Sequence, residues 1–127
     1  PNHLKLSFVE VKPTASKSMS RGDAIQNESS EISKHIDHAA HVILWDRKGD
    51  LISSEGLARL FQEKIDLSEN MNMIIGGAYG VSEEIEKKAD LILSASQLTF
   101  PHRLFKILLM EQIYRASAIN RNHPYHK

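Results

Sequence analysis

The stretch that decides the fold is MNMIIGGAYGVSEE, residues 71–84. Its opening run, residues 71–75, reads as a strand. Glycines at 76, 77 and 80 break that run at once, and Ser82 stands where a helix N-cap belongs, ahead of Glu83 and Glu84. A strand, a glycine turn and a capped helix in immediate succession form half of a parallel βαβ unit.

Working outward, the same grammar recurs on both sides. Upstream, HVILW (41–45) is a continuous apolar run, the pattern of a strand buried on both faces, and DRKGD after it reads as a turn. Ser53 or Ser54 then caps a helix in which Leu57, Leu60, Phe61 and Ile65 return at helical spacing, leaving Arg59, Gln62 and Glu63 to solvent. Farther back, LKLSFVEV (4–11) alternates apolar and polar residues as a half-buried strand does, and Pro13 ends it. Residues 14–30 carry no apolar stripe and read as a loop, with a helix of modest quality starting near Ser29 and Glu31 in its first turn. Downstream, LILSAS (91–96) is a fourth strand, TFPH leads into the longest helix, about 102–120, and NRNHPYHK is a polar tail.

This alternation predicts an α/β fold, a parallel sheet with helices on both faces, in one domain over residues 1–127. Ligands of such sheets sit beyond the carboxyl ends of the strands, which here are Trp45–Asp46, Gly76–Gly77 and the stretch from Ser94 to Thr99.

Composition narrows the function. With 41% hydrophobic and 25% charged residues among 127, the chain is expected to fold around a core. It has no cysteine, which excludes disulfides, a thiolate nucleophile and sulfur-based zinc sites, and fits a cytoplasmic protein. Lys5 and Glu10 interrupt the first apolar stretch, so no signal peptide is expected, and no apolar run reaches membrane-span length. Sixteen basic residues balance sixteen acidic ones, but residues 101–127 hold Arg103, Lys106, Arg115, Arg121 and Lys127 against Glu111 alone.

Each motif by itself has a plain structural reading. The glycines of IIGGAYG let backbone amides approach a ligand, yet they serve equally as a strand-to-helix turn, and the spacing is not that of a dinucleotide fingerprint. LSASQLTFPH offers backbone groups for an adenine edge with Leu98 and Phe100 as walls, or is an ordinary connection. His35, His38 and His41 recur every third residue but straddle a helix end and a strand start, so no metal site is expected. Leu104, Phe105, Leu108, Leu109, Ile113, Tyr114 and Ala116 read as a core face of the last helix, extended by a dimer contact. Arg115, Arg121, His123, Tyr125 and His126 suit stacking on an unpaired base, or form a frayed terminus. There is no G-x-S-x-G, H-E-x-x-H or P-loop motif, and residue chemistry alone stops at a small α/β ligand binder.

Taken together and in order, HVILWDRKGDLISSEGLA, IIGGAYG, LILSASQLTFPH, RLFKILLMEQIYRA and NHPYHK resemble the ribosomal large subunit methyltransferase H family. The resemblance implies a SPOUT fold with a C-terminal trefoil knot, an exception to unknotted topology. It also implies a homodimer, S-adenosylmethionine as methyl donor with no metal, and methylation of N3 of a pseudouridine in large-subunit rRNA on the assembled ribosome. By correspondence the donor is held by Trp45, where the family usually has leucine, by Gly76 and Gly77, and by Ala95, Ser96, Gln97, Leu98, Thr99 and Phe100. His126 or a neighbour is expected to accept or relay the N3 proton, Tyr125 and His123 to position the base, and Arg115 to stabilise negative charge. Arg103, Arg121, His123 and Lys127 are the expected RNA contacts. The family's first strand and helix have no counterpart before Pro1. Competing readings are a non-catalytic RNA- or ribosome-binding module, a nucleotide-binding enzyme using Gly76–Gly77 for phosphate, and a SPOUT methyltransferase acting on tRNA.

Overall fold

The computed structural model describes residues 6–9, 21–36, 40–76 and 81–126. Its elements in chain order are β1 (Leu6–Val9), α1 (Arg21–His35), β2 (His41–Leu51), α2 (Ser54–Asp66), β3 (Met71–Ile75), α3 (Glu83–Lys88), β4 (Leu91–Ser94) and α4 (His102–Asn120). The strands form one parallel sheet in the order β1-β3-β2-β4, with Met71 of β3 aligned to both Leu6 and His41. Every residue of β3 is buried, the polar Asn72 included.

Side chains alternate across the sheet and so sort the core into two halves. Ile43, Trp45, Met73 and Ile75 point to the side covered by α2 and α4, where Leu57, Phe61 and Leu109 meet them. Val42, Leu44 and Ile74 point to the other side, against Ile32 and Ile36 of the α1 segment and Ile85 of α3. The expected α/β layering, with helices on both faces, is what the molecule has.

Local signals placed several boundaries well. Ser53, not Ser54, caps α2, accepting from the Gly56 amide at 3.0 Å, and Ser82 caps α3, accepting from the Ile85 amide at 3.5 Å. The last helix spans the expected residues, while β4 stops at Ser94, short of the expected Ser96.

Other expectations need correction. The helix before β2 starts at Arg21, not near Ser29. Its apolar positions are sparse, so its sequence reads as loop; it is held where Ile32 packs and where the Ser29 hydroxyl accepts from the Ser82 amide at 2.9 Å. In α2, Ile65 is exposed, and Lys64 lies on the buried side with its ammonium 3.1 Å from Glu69. In α4, Phe105, Leu109, Ile113 and Ala116 pack inward, whereas Leu104, Leu108 and Tyr114 are exposed with Ile107, giving the helix a second apolar face.

The DRKGD segment is part of β2 rather than a strand-ending turn. Trp45 and Asp50 both align with Leu93 of β4, so residues 46–49 bulge out before the strand resumes. The turn signal is real at short range, since the Lys48 amide donates to Asp46 Oδ1 at 2.9 Å. Gly49 closes the bulge: a Cβ there would lie 2.6 Å from the Ile92 carbonyl oxygen, a separation only glycine permits.

Candidate active site

Beyond the carboxyl ends of β2 and β4, between α2 and α4, lies a mainly apolar cavity of about 240 Å³. Of the residues expected to hold a donor, Trp45, Ala95, Ser96 and Phe100 line it. Trp45 is only 5% exposed: its indole N–H donates to Met73 Sδ at 3.4 Å and its ring lies 6.4 Å from that of Phe105. Much of that side chain is therefore core, and the rest forms a cavity wall.

The loop after β4 is wound on itself. The Ser94 hydroxyl donates to the Ser96 carbonyl at 2.9 Å, and the Leu98 amide donates to Ser96 Oγ at 3.0 Å. This turns Ser96 toward the cavity and leaves Gln97, Leu98 and Thr99 exposed, outside its wall. Gly76 is not among the residues that line the cavity. Its carbonyl can only accept, so His102 Nδ1, 3.0 Å away, is the donor, and this bond ties the end of β3 to the first turn of α4. Gly77 lies outside the described residues.

The opposite wall of the cavity opens into a polar network. Ser54 Oγ and Gln112 Oε1, both cavity-lining residues, are 2.6 Å apart, and Gln112 Nε2 donates to Glu111 Oε1 at 3.0 Å. Arg115 Nη2 reaches Glu111 Oε2 at 2.8 Å with Nε at 3.4 Å from Oε1, and the Tyr125 hydroxyl donates to the same Oε2 at 2.7 Å. Arg115 also lies 4.9 Å from the centre of the Tyr125 ring, which meets Tyr114 edge-on at 4.8 Å. The tail thus folds back on α4, bringing the expected residues Arg115, Tyr125 and His126 together.

His126 closes the network on α2. Its Nδ1 is 3.0 Å from Arg115 Nη1 and its Nε2 is 3.1 Å from Glu55 Oε2. A guanidinium has no lone pair to offer, so Nδ1 must accept and the ring proton sits on Nε2, donated to Glu55. In this arrangement the basic nitrogen is capped by Arg115.

Charges follow these contacts. The Arg115 guanidinium, then the Tyr125 hydroxyl, hold the Glu111 carboxyl below the usual carboxylate range. Donation to Glu111, with desolvation second, pushes the Tyr125 phenol up, and Glu111 raises Arg115 further. Glu55 is lowered first by a backbone amide at the start of α2 and then by His126.

The expected RNA contacts are more scattered. Arg103 is exposed in the first turn of α4 and Arg121 just beyond its last, about 27 Å apart along the axis. His123 is exposed and accepts from the Tyr125 amide at 3.2 Å, while Lys127 lies outside the described residues. Of the three spaced histidines, His38 is outside the described residues and His41 opens β2 with Nδ1 3.8 Å from Asp90. Among the described residues no group of three His, Cys, Asp or Glu could hold a metal, and no helix is long and apolar enough to cross a membrane.

Sequence reasoning did not place Glu111, Glu55, Ser54 or Gln112 at the site: Ser54 entered only as a candidate helix cap and Glu111 only as the lone acid of the C-terminal stretch. The Glu111–Arg115 spacing of four residues is a visible helical ion pair, but nothing local distinguishes it from a solvent-facing one.

Fold and site together define a parallel α/β protein that presents a ligand cavity beyond its strand ends, edged by a cationic and aromatic tail. The family described as "Predicted SPOUT methyltransferase" matches residues 1–126. A Ribosomal RNA large subunit methyltransferase H from Caldicellulosiruptor bescii is 38% identical over 125 residues, 98% of this chain and 81% of that protein. The protein of the same name from Caldicellulosiruptor saccharolyticus is 42% identical over 103 residues, 81% of this chain and 67% of the relative. That from Dechloromonas aromatica is 35% identical over 127 residues, the whole of this chain and 81% of the relative. The chain belongs to the SPOUT methyltransferases, within the ribosomal RNA large subunit methyltransferase H family.

Proposed function

We propose that this protein transfers a methyl group from S-adenosylmethionine to N3 of a pseudouridine in large-subunit rRNA, on the assembled ribosome in the cytoplasm. The observation that carries the reading is the junction of the strand-end cavity with the Arg115–Tyr125–His126 cluster through Ser54, Gln112 and Glu111.

The residues present fit the donor. Trp45, Phe100 and Leu108 give apolar walls for an adenine ring, and Ala95 leaves space beside the backbone after β4. Gly76, next after β3, supplies backbone without a side chain, and Gly77 is the further glycine of the proposed donor set. The donor contributes an electrophilic methyl on a sulfonium that departs as a neutral thioether. The protein's own work is alignment of the base and management of one proton and one charge.

Tyr125 and His123 carry exposed rings suited to holding an unpaired base. Arg115 stabilises the negative charge that the pyrimidine develops as N3 loses its proton. His126 serves as acceptor or relay once Arg115 turns from Nδ1 to the base, because only then is that lone pair free. Arg103, Arg121, His123 and Lys127 provide RNA contacts, and binding to a shaped ribosomal surface accounts for a chain of zero formal charge. In this reading the C-terminal segment carries the SPOUT trefoil knot and two copies pair through the apolar face of α4 on which Leu104 and Ile107 are exposed.

Calorimetric titration with S-adenosylmethionine, S-adenosylhomocysteine and ATP tests the donor site, and transfer of labelled methyl to ribosomes tests the reaction. Saturable binding of the first two but not ATP, with label in large-subunit rRNA, is expected. A folded protein that binds neither would refute the reading in favour of a non-catalytic ribosome-binding module, and label appearing only in tRNA would refute the substrate.

A further inference from the structure

The cavity wall and the tail are joined in a closed circuit of hydrogen bonds. It runs from Ser54 to Gln112, Glu111, Arg115 and His126 and returns to Glu55, the covalent neighbour of Ser54. Two carboxylates anchor the circuit, and the proposed reaction leaves both without a role. Glu111 accepts from Gln112, from two nitrogens of Arg115 and from Tyr125. Glu55 accepts from His126 across 71 residues of sequence.

We infer that Glu111 and Glu55 are positioning residues that fix the C-terminal tail against the cavity and hold His126 as the neutral tautomer protonated on Nε2. The inference rests on the methyltransferase reading for its catalytic consequence, whereas the tautomer stands on geometry alone.

The physical case has three steps. The residues after α4 form only turns, and short terminal segments without secondary structure fray unless something ties them down. Here the side-chain ties are the Tyr125 hydroxyl on Glu111, the His126 imidazole on Glu55, and Arg115 between them. Next, Arg115 can present Nη1 to His126 Nδ1 because its Nε and Nη2 edge is already engaged by Glu111, which fixes the plane of the guanidinium. Finally, an arginine on Nδ1 and a carboxylate on Nε2 satisfy only one neutral tautomer: the other would face two N–H groups toward each other at one end and two lone pairs at the other. Together the two glutamates therefore set which ring nitrogen carries the lone pair, and where it points.

Neither glutamate needs to touch the donor or the base. A group that acts through others should alter turnover more than donor affinity, since a small misplacement of reacting groups costs rate steeply.

The test uses the full chain and its Glu111→Gln and Glu55→Gln variants, with folding checked by circular dichroism. Long-range ¹H–¹⁵N correlation reads the His126 tautomer, the signal being assigned by its loss in His126→Gln. Calorimetry gives the dissociation constant for S-adenosylmethionine, and label transfer to ribosomes gives kcat. The wild type should show His126 protonated on Nε2 alone. Each variant should show a mixture of tautomers, a near-unchanged donor constant, and a kcat reduced by about tenfold to a hundredfold. A tautomer unaltered in both variants overturns the inference, as does an altered tautomer with full kcat, because the positioning would then serve nothing. A wild type that keeps the Nε2 tautomer but transfers no methyl group would refute the proposed reaction while supporting the clamp.

Discussion

Replacing Trp45 by leucine separates what that side chain does for the core from what it does for the cavity. Trp45 is 5% exposed and packs on Phe105 and Met73. Leucine is smaller by roughly 60 Å³, and at about 24 cal/mol per Å³ of unfilled volume that costs ~1.4 kcal/mol. The apolar area lost from burial adds a similar amount, about 1.5 kcal/mol for some 60 Å². The indole N–H to sulfur contact contributes little, because a thioether is a weak acceptor. Part of the new space merges with the existing 240 Å³ cavity, so the expected destabilisation is about 1.5–3 kcal/mol, and the cavity widens. Urea unfolding followed by circular dichroism measures the first effect, since the substitution removes the only tryptophan and with it the fluorescence signal. Calorimetry with S-adenosylmethionine measures the second. A stability loss below about 1 kcal/mol would show that the ring is not core. Loss of donor binding with the fold intact would show that the indole itself grips the ligand, against the view that it is mostly packing.

Three further outcomes follow from other parts of the molecule. Gly49→Ala places a Cβ 2.6 Å from the Ile92 carbonyl oxygen, and the backbone shift needed should lower the urea midpoint by the equivalent of about 1–3 kcal/mol; an unchanged midpoint would mean the bulge is free to move. The tail clamp should hold only between two pH limits. Glu111 is depressed by Arg115 and Tyr125, so its contribution is present above the ordinary carboxylate value of about 4.3 and is lost as pH falls through its lower folded value. Tyr125 is raised by Glu111, so its contribution is present below about 10 and is lost as pH rises through its higher folded value. Spectroscopic titration of the phenols in wild type and Glu111→Gln should show the Tyr125 midpoint falling in the variant, and an unmoved midpoint would contradict the hydrogen bond. Under the proposed pairing, the wild type should sediment as a dimer and Ile107→Glu on the exposed face of α4 as a folded monomer; a variant that sediments as the wild type does would contradict pairing through this face.

Much of the strand-end cavity was legible in the sequence because its signals are local. Small and hydroxyl residues between β4 and α4 mark an open connection, and Ala95, Ser96 and Phe100 of that connection line the cavity. What could not be read was which residues of that loop face inward, since the turn made by Ser94 and Ser96 puts Leu98 into solvent although it reads as a wall. The acidic partners of the tail were hidden for another reason. Glu55 looks like one more first-turn acid favoured by the helix dipole, and nothing near it points to a histidine 71 residues later.

By itself, then, the sequence determined the kind and order of the elements. A continuous apolar run at 41–45 and a mainly apolar one at 71–75 make buried parallel strands, Ser53 and Ser82 start helices, and the span His102–Asn120 is bounded by Pro101 and a polar tail. These choices depend on a few neighbouring residues, so they are written in neighbouring residues. Tertiary structure decided where α1 begins, that β2 resumes at Asp50 after its bulge, which face of α4 is left uncovered, and that the last residues return to Glu111 and Glu55. In each of these a long-range partner supplies the free energy that local propensity lacks, whether Ser82 for α1, Leu93 and Ser94 for β2, or a pair of carboxylates for the tail. Such partners meet only once the whole sheet has assembled.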